Sequence, residues 1–269
     1  MTLKALANKL HGTLSGQFGL DLLRFLQSLR SIPFYLRDWV VFRRGYGGKM
    51  KLTPCLHDRY EEGGATKSEY FWQDLLVARA IYVANPVKHV DIGSRVDGFV
   101  AHLASFRDCE VFDVRPISAV VPGVLFRQAD LMKVASLPTS EGGGYCDSLS
   151  CLHAIEHFGL GRYGDPIDPR GYEKGIANMA QLLKPGGTFY LSTPIGQERV
   201  EFNANWVFDP HSIIRCAKAS GLKLQSLKVV SSTSEPRDVT LTEESLDALA
   251  ARRYVLGIFV FTKLEKGAH

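Results

Sequence analysis

The sequence predicts an α/β fold: a mainly parallel sheet covered by helices on both faces, with antiparallel character near its end. Three observations lead there. From Tyr70 onward the apolar pattern alternates strand-like and helix-like stretches, which is how a parallel sheet with helical crossovers is built. The stretch Val87 to Ile92 runs straight into a glycine turn and then a helix. Finally, 269 residues that are 45% hydrophobic and 22% charged can bury one large core, which excludes a disordered, collagenous or polytopic membrane protein.

The elements follow in order. Tyr70 to Ala84 is helical, Val87 to Ile92 a short apolar strand, Gly98 to Ser105 a helix and Glu110 to Val114 a strand. A third short strand ends at Gln128, and Tyr145 to Leu152 is another. Asn178 to Leu183 reads as a helix end stopped by Lys184-Pro185-Gly186-Gly187, with Thr188 to Ser192 the next strand, because proline and glycine together punctuate a helix. Pro210 to Ser220 is helical, Leu222 to Ser231 a strand, and Tyr254 to Leu264 a last strand with period-two character. The two last strands lack a long helical pattern between them, which suggests an antiparallel edge.

Residues 1–48 read as a basic helical arm and 49–269 as the main domain. Apolar residues Leu22, Leu23, Phe25, Leu26 and Leu29 recur at helical spacing with Arg24, Arg30, Arg37, Arg43 and Arg44 among them, an amphipathic helix expected to break near Pro33. Met1 to Lys51 holds nine Lys/Arg against Asp21 and Asp38, a net +7, so the total of +4 leaves −3 elsewhere. Such an arm packs on a core or subunit, or lies on a membrane surface with Phe34, Tyr35 and Trp39 as anchors. The acidic remainder argues against a broad nucleic-acid face. Gly45-Tyr46-Gly47-Gly48 reads as a hinge. Five scattered cysteines with no C-x-x-C pair indicate neither a disulfide framework nor a thiolate zinc site. No apolar run reaches membrane-spanning length, and Met1 to Gly12 carries polar residues where a secretion signal needs an apolar stretch. The expected location is the cytoplasm, with the arm permitting peripheral contact at the inner membrane face.

The chemistry-bearing signals lie at strand ends. Asp91-Ile92-Gly93-Ser94-Arg95-Val96-Asp97-Gly98 joins a strand to a helix through glycines that let backbone approach a ligand. Asp113 ends the next strand 22 positions after Asp91, where a carboxylate accepts from ribose hydroxyls. Asp130-Leu131 follows the third strand, and Ser150 sits in the fourth. With Lys184-Pro185-Gly186-Gly187, this ordered series resembles class I S-adenosylmethionine-dependent methyltransferases, from about Ala84 to the C-terminus. The resemblance implies a Rossmann-like seven-stranded sheet with an antiparallel last strand and S-adenosylmethionine over Gly93, Ser94 and Gly98. It further implies Asp91 supporting the glycine loop and facing the methionine end, Asp113 on the ribose, Asp130 and Leu131 around the adenine, and Ser150 in the same site. Together with His153-Ala154-Ile155-Glu156-His157-Phe158-Gly159-Leu160-Gly161, the glycine motif also resembles an uncharacterised bacterial methyltransferase-like family associated with surface-polysaccharide biosynthesis.

His153, Glu156 and His157 are spaced i, i+3 and i+4, so a helical turn would place all three on one face. Three readings stay open. The turn resembles the E-x-x-E-H metal site of ubiquinone-pathway and small-RNA 2′-O-methyltransferases, with His153 replacing the first Glu, a change that favours a softer divalent ion than Mg²⁺. Alternatively His153 or His157 is a general base near neutrality. Or Glu156 and one histidine only fix the loop. Arg162, Tyr163 and Asp165 would shape the acceptor pocket, with Asn203 and Asn205 opposite and Trp206 or Phe202 as a stacking plane; a capping Asn and a buried Trp206 are the plainer alternative. His57, His89, His102 and His211 read as ordinary surface or core histidines.

The expected activity is therefore methyl transfer to a hydroxyl, with a sugar of a surface polysaccharide or its lipid-linked precursor as acceptor. A non-catalytic scaffold in a glycan-biosynthesis complex and a nucleic-acid methyltransferase are the alternatives.

Overall fold

The computed structural model describes residues 19, 21–61, 66, 68–134, 138, 144–231 and 234–265. The expectation resting on Met1 to Gly12 lies outside them. The chain forms two compact units, Met1–Ala65 and Thr66–His269, so the predicted boundary at residue 48 falls inside the first.

In the first unit, helix α1 (Leu22–Gly45) runs through Pro33 without ending, against the expected break. A proline removes one backbone donor, and the long helical stretches on either side keep their own ladders. Arg43 closes the helix by donating from Nη1 to the carbonyls of Tyr46 (3.1 Å) and Gly48 (3.0 Å), groups at the negative end of the helix. Among the described residues, no helix is long and apolar enough to cross a membrane.

The second unit opens with α2 (Glu69–Ala84) and builds strands β1 (His89–Ile92), β2 (Cys109–Asp113), β3 (Val124–Gln128), β4 (Cys146–Leu152) and β5 (Leu183–Ile195). A π turn (Val96–Val100) and short α3 (Ala101–Ala104) connect β1 to β2, and α4 (Gly171–Leu182) precedes β5. Strands β6 (Arg199–Glu201) and β7 (Asn205–Val207) form a separate two-stranded sheet. Then come α5 (Pro210–Ala219), β8 (Leu222–Ser231), β9 (Ser234–Asp238), α6 (Glu243–Ala250) and β10 (Val255–Lys263).

The main sheet has eight strands in the order β3-β2-β1-β4-β5-β10-β8-β9. Neighbours from β3 through β5 are parallel, while β10 lies antiparallel between β5 and β8. The mainly parallel sheet with an antiparallel last strand is thus present, with one strand more than the seven expected. The addition is β9, antiparallel to β8. Its sequence Ser-Glu-Pro-Arg-Asp reads as a turn, yet an edge strand is where a sheet tolerates proline. Helix α6 also escaped the sequence pattern; it buries only Leu246 and Leu249 and is capped by Thr242, whose Oγ1 accepts from the Ser245 N–H at 3.2 Å. The Lys184-Pro185-Gly186-Gly187 run lies within β5: Cys146 pairs with Leu183 and Ser148 with Thr188, so those four residues bulge out of register.

Two apolar layers sandwich the sheet, one including Phe112, Phe189, Ile213 and Phe259, the other Ile81, Phe99, Leu103 and Ile258. Each fully buried side chain of this size contributes about 1.5–3 kcal/mol. This packing fixes β1, β2 and β4 side by side, and their carboxyl ends open on one edge, where open α/β sheets bind ligands.

Candidate functional site

Beneath that edge lies a buried polar chain. Asp91 is fully buried and accepts from the Ser94 N–H (3.1 Å), Ser94 Oγ (2.7 Å) and Ser150 Oγ (2.6 Å). Ser94 Oγ in turn accepts from the Leu152 N–H at 3.2 Å. His89 joins through Nε2 to Ser150 Oγ (3.0 Å) and through Nδ1 to Ser148 Oγ (2.8 Å). An ionised carboxylate only accepts, so Ser150 donates to Asp91 and takes the Nε2–H of His89, leaving Nδ1 to accept from Ser148. Burial pushes the His89 ring down to about 3, with the charge of Arg107 adding to it, so the ring is neutral. Burial pushes the Asp91 carboxyl up to about 6, against the serine hydrogen bonds.

Asp91 and Ser150 are fully buried beneath the cavity and outside its lining. They hold the Gly93-Ser94 turn. Gly93 has φ of +68°, and a Cβ there would meet the Ala154 Cβ at 3.0 Å, so glycine keeps the turn both possible and open. Gly98 also sits behind the surface: a Cβ there would meet Asp74 Oδ2 at 2.8 Å.

Above the turn is a cavity of about 670 Å³, walled by Gly93, Ser94, Asp113, Asp130, Leu131, Glu69, Tyr70, His153, Glu156, His157, Arg162, Tyr163, Asn205 and Tyr254 among others. Its size suits a small organic ligand. Asp113 lines it, but Arg115 takes much of that carboxylate: its backbone N–H (2.8 Å) and Nε (3.0 Å) donate to Oδ1, and Nη2 (2.7 Å) to Oδ2. A carboxylate offers about four lone-pair sites, so one on Oδ2 is left for a ligand hydroxyl. Asp130 accepts from the Met132 N–H at 3.0 Å and pairs with Lys133 at 3.1 Å.

On the opposite wall His153, Glu156 and His157 come together, but not on a helical face. His153 follows β4 in the left-handed region with φ of +51°, and only Ile155–His157 forms a 3-10 turn. His153 Nδ1 donates to Glu156 Oε1 at 2.7 Å, its ring stacks on Tyr70 at 4.5 Å, and its Nε2 is buried without a hydrogen-bond partner. Glu156 Oε2 is likewise buried and unpartnered. Burial disfavours the charged ring, but the charge and hydrogen bond of Glu156, helped by Glu69 and Asp74, raise His153 above the ordinary histidine value. His157 is the reverse: burial lowers it despite Glu156. Its Nδ1 donates to the Ala204 carbonyl at 2.7 Å, leaving Nε2 as an acceptor.

No common metal point results. His153 Nδ1 is bonded to Glu156, and His157 Nε2 stays 4.0 Å from Glu156 Oε1. Among the described residues, the one trio whose ligand atoms all lie within 4.8 Å is His57, Asp58 and Glu61, near the surface of the first unit.

The loop after His157 is a scaffold. Asp165 lines the cavity and accepts from the N–H groups of Gly159 (3.1 Å), Gly161 (3.3 Å) and Tyr163 (3.1 Å). Arg162 and Tyr163 are thereby held at the cavity. Asn205 lines it too, with Nδ2 donating to the Trp206 carbonyl at 3.0 Å. Asn203 and Phe202 are exposed and outside the lining. Trp206 stacks on Phe208 at 5.7 Å against the core rather than facing a ligand. The cap before Pro210 is Asp209, not an asparagine.

Sequence reasoning missed Glu69, Tyr70, Arg115 and Tyr254. Tyr254 donates its hydroxyl to Glu69 Oε1 at 2.7 Å, a contact across 185 positions that no local pattern shows. Gln73 and Asp74, two polar residues buried among Val77, Ala78 and Ile81 of α2, were the available signal that this helix serves the site.

Residues 143–264 match a family model described as "Caenorhabditis protein of unknown function, DUF268". No curated protein matches the chain. Among solved structures, the fold is similar to the [4+2]-cyclase SpnF, 13% identical over 71% of this chain and 80% of that one, with a TM-score of 0.51. Others include the N-methyltransferase NodS from Bradyrhizobium japonicum WM9 in complex with S-adenosylhomocysteine, 14% identical over 72% and 86% of the chains with a TM-score of 0.47. A TehB-like SAM-dependent methyltransferase from Corynebacterium glutamicum ATCC 13032 is 19% identical over 71% and 88%, with a TM-score of 0.45.

Two outcomes are expected. Since the Asp91 carboxyl is raised from 3.8 to about 6 in the folded protein, the folded state holds that proton more tightly. Its contribution is complete below about pH 4 and is lost as the pH rises through about 6, a fall of roughly 2–3 kcal/mol. Urea unfolding across this range shows the fall in the wild type, and the difference profile against Asp91→Asn isolates it. Glu156→Gln removes the charge that favours the His153 imidazolium, so the His153 titration followed by NMR moves to lower pH; an unmoved titration contradicts the pairing.

Proposed function

We propose that the second unit is an S-adenosylmethionine-dependent methyltransferase acting on an acceptor hydroxyl, with a sugar of a surface polysaccharide or its precursor as the acceptor. One observation carries this reading: a single cavity has the Gly93 turn, Asp113 and Asp130 on one wall, and a carboxylate-oriented histidine with an unpartnered, buried Nε2 on the other.

The residues fit the cofactor. The open turn at Gly93 admits backbone contact, Asp113 Oδ2 retains one site for a ribose hydroxyl, and Asp130 with Leu131 borders the adenine region. Bound S-adenosylmethionine supplies a sulfonium-activated methyl group. The chain's own work is alignment, which removes most of the entropic barrier, and proton removal. His153 Nε2 takes the acceptor's hydroxyl proton, and Glu156 holds the ring in place and stabilises the imidazolium, as a carboxylate does for a histidine base. His157 Nε2, on the same wall, is a hydrogen-bond acceptor for a second hydroxyl. No metal is required in this scheme, since no three ligand atoms converge at these residues.

A [4+2]-cyclase shares the fold, and a fold does not choose a reaction. The oriented His153–Glu156 pair is what favours proton removal over pericyclic assistance. The sugar acceptor, supported by the sequence resemblance, belongs to the same proposal, as do the cytoplasmic location, which rests on the scattered cysteines, and the arm's contact with a membrane face or a sister subunit, which rests on its basic amphipathic pattern.

Calorimetric titration with S-adenosylhomocysteine tests it. Wild-type protein binds in the micromolar range, EDTA leaves the affinity unchanged, and Asp113→Ala weakens binding by about tenfold or more, the size of a hydrogen bond to a charged group. No binding to the wild type would sink the transferase and leave the scaffold reading in its place.

A further inference from the structure

We infer that the acceptor carries a phosphate group, gripped by Arg162 at the wall of the cavity beside the His153–Glu156 pair. The position of the reacting hydroxyl rests on the transferase reading; the phosphate contact stands on its own geometry.

Three arginines line the cavity. Arg95 is paired with Asp97 at 2.6 Å and Arg115 with Asp113 at 2.7 Å. Arg162 has no carboxylate within 4.0 Å among the described residues. Its Nη1 donates to the Ala204 carbonyl at 2.8 Å and lies 3.3 Å from His157 Nδ1, its guanidinium lies 5.3 Å from the Tyr163 ring, and the residue is exposed at the rim. The remaining donors have no acidic partner among the described residues. A guanidinium at the cavity wall without a carboxylate partner is a binding group for an anion.

The loop is built to hold it there. The Asp165 carboxylate gathers three backbone N–H groups around Arg162, and the Asp168 N–H donates to the Gly159 carbonyl at 2.9 Å. A Cβ on Gly159 would collide with the Asp168 carbonyl oxygen, and the backbone there is left-handed, so the turn closes only with glycine. Arg115 approaches the same Tyr163 ring at 4.4 Å, placing a second, already neutralised guanidinium alongside. A guanidinium edge grips carboxylate and phosphate alike, and phosphate is the anion that an activated or lipid-linked sugar of the proposed acceptor class carries. The acceptor then is a phosphorylated sugar, soluble or lipid-linked, rather than a neutral polymer.

The test compares glucose 1-phosphate, methyl glucoside and glucuronate by calorimetry, with and without S-adenosylhomocysteine, on wild type, Arg162→Gln and Arg162→Lys. We expect the phosphate to bind the wild type about tenfold tighter than either of the other two, and Arg162→Gln to erase that preference, a change of one charge-assisted contact. Arg162→Lys keeps part of it. Unchanged S-adenosylhomocysteine affinity in the variants shows that they remain folded. Equal affinities in the wild type, a stronger glucuronate, or a preference intact in Arg162→Gln overturns the inference. An Arg162-dependent phosphate preference without any S-adenosylhomocysteine binding would sustain it while defeating the transferase reading. Vesicles containing phosphatidic acid displace glucose 1-phosphate from the wild type if the source is lipid-linked, and do not if it is soluble.

Discussion

The buried Asp91 carboxylate is the constraint on which the ligand-binding edge depends. Removing a carboxylate from water is costly unless hydrogen bonds replace those of the solvent, and here three donors from Ser94 and Ser150 do so. The consequence is geometric. The turn after β1 is tied to β4 at two points, so Gly93 cannot drift from Ala154, and the cavity floor is set by buried contacts instead of by a mobile loop. His89 extends the network one layer deeper as a neutral donor, which explains why a histidine is tolerated in the sheet's interior.

Above this floor the cavity is chemically divided. One wall offers Asp113 and Asp130, hydroxyl and amine acceptors already partly engaged by Arg115 and by Lys133. The other offers the His153–Glu156 pair, stacked on Tyr70 and flanked by His157. Opposed demands set the two histidines apart: a carboxylate at 2.7 Å raises His153 against its burial, while burial, with the charge of Arg162 adding to it, lowers His157 despite Glu156. Two adjacent imidazoles with divergent basicity can serve as base and neutral hydrogen-bonding group in one site.

Much of this was legible in the sequence. Strand periodicity located β1, β2, β4 and β10, and acids placed at strand ends landed on the cavity at 113 and 130. The carboxylate–histidine cluster was found from spacing, although the helical face inferred for it does not exist: His153 turns left-handed and the contacts form anyway. What could not be read depended on closure in three dimensions. Asp165 lines the cavity, but that its carboxylate is engaged by three amides shows only once the loop folds back on it. Ser150 and Gly98 lie one layer too deep, and Trp206 turned to the core because Phe208 and Tyr172 offered it apolar neighbours. Glu69, Tyr70 and Tyr254 reach the site from elements distant in the chain, and Pro236 hid an edge strand.

The most direct measurement is a crystal structure of the protein grown with S-adenosylhomocysteine. The account predicts the ligand in the cavity above Gly93 and Ser94, with a ribose hydroxyl on Asp113 Oδ2 and the sulfur directed toward His153. Ligand bound elsewhere, or lying in the cavity with its ribose away from Asp113, would contradict it.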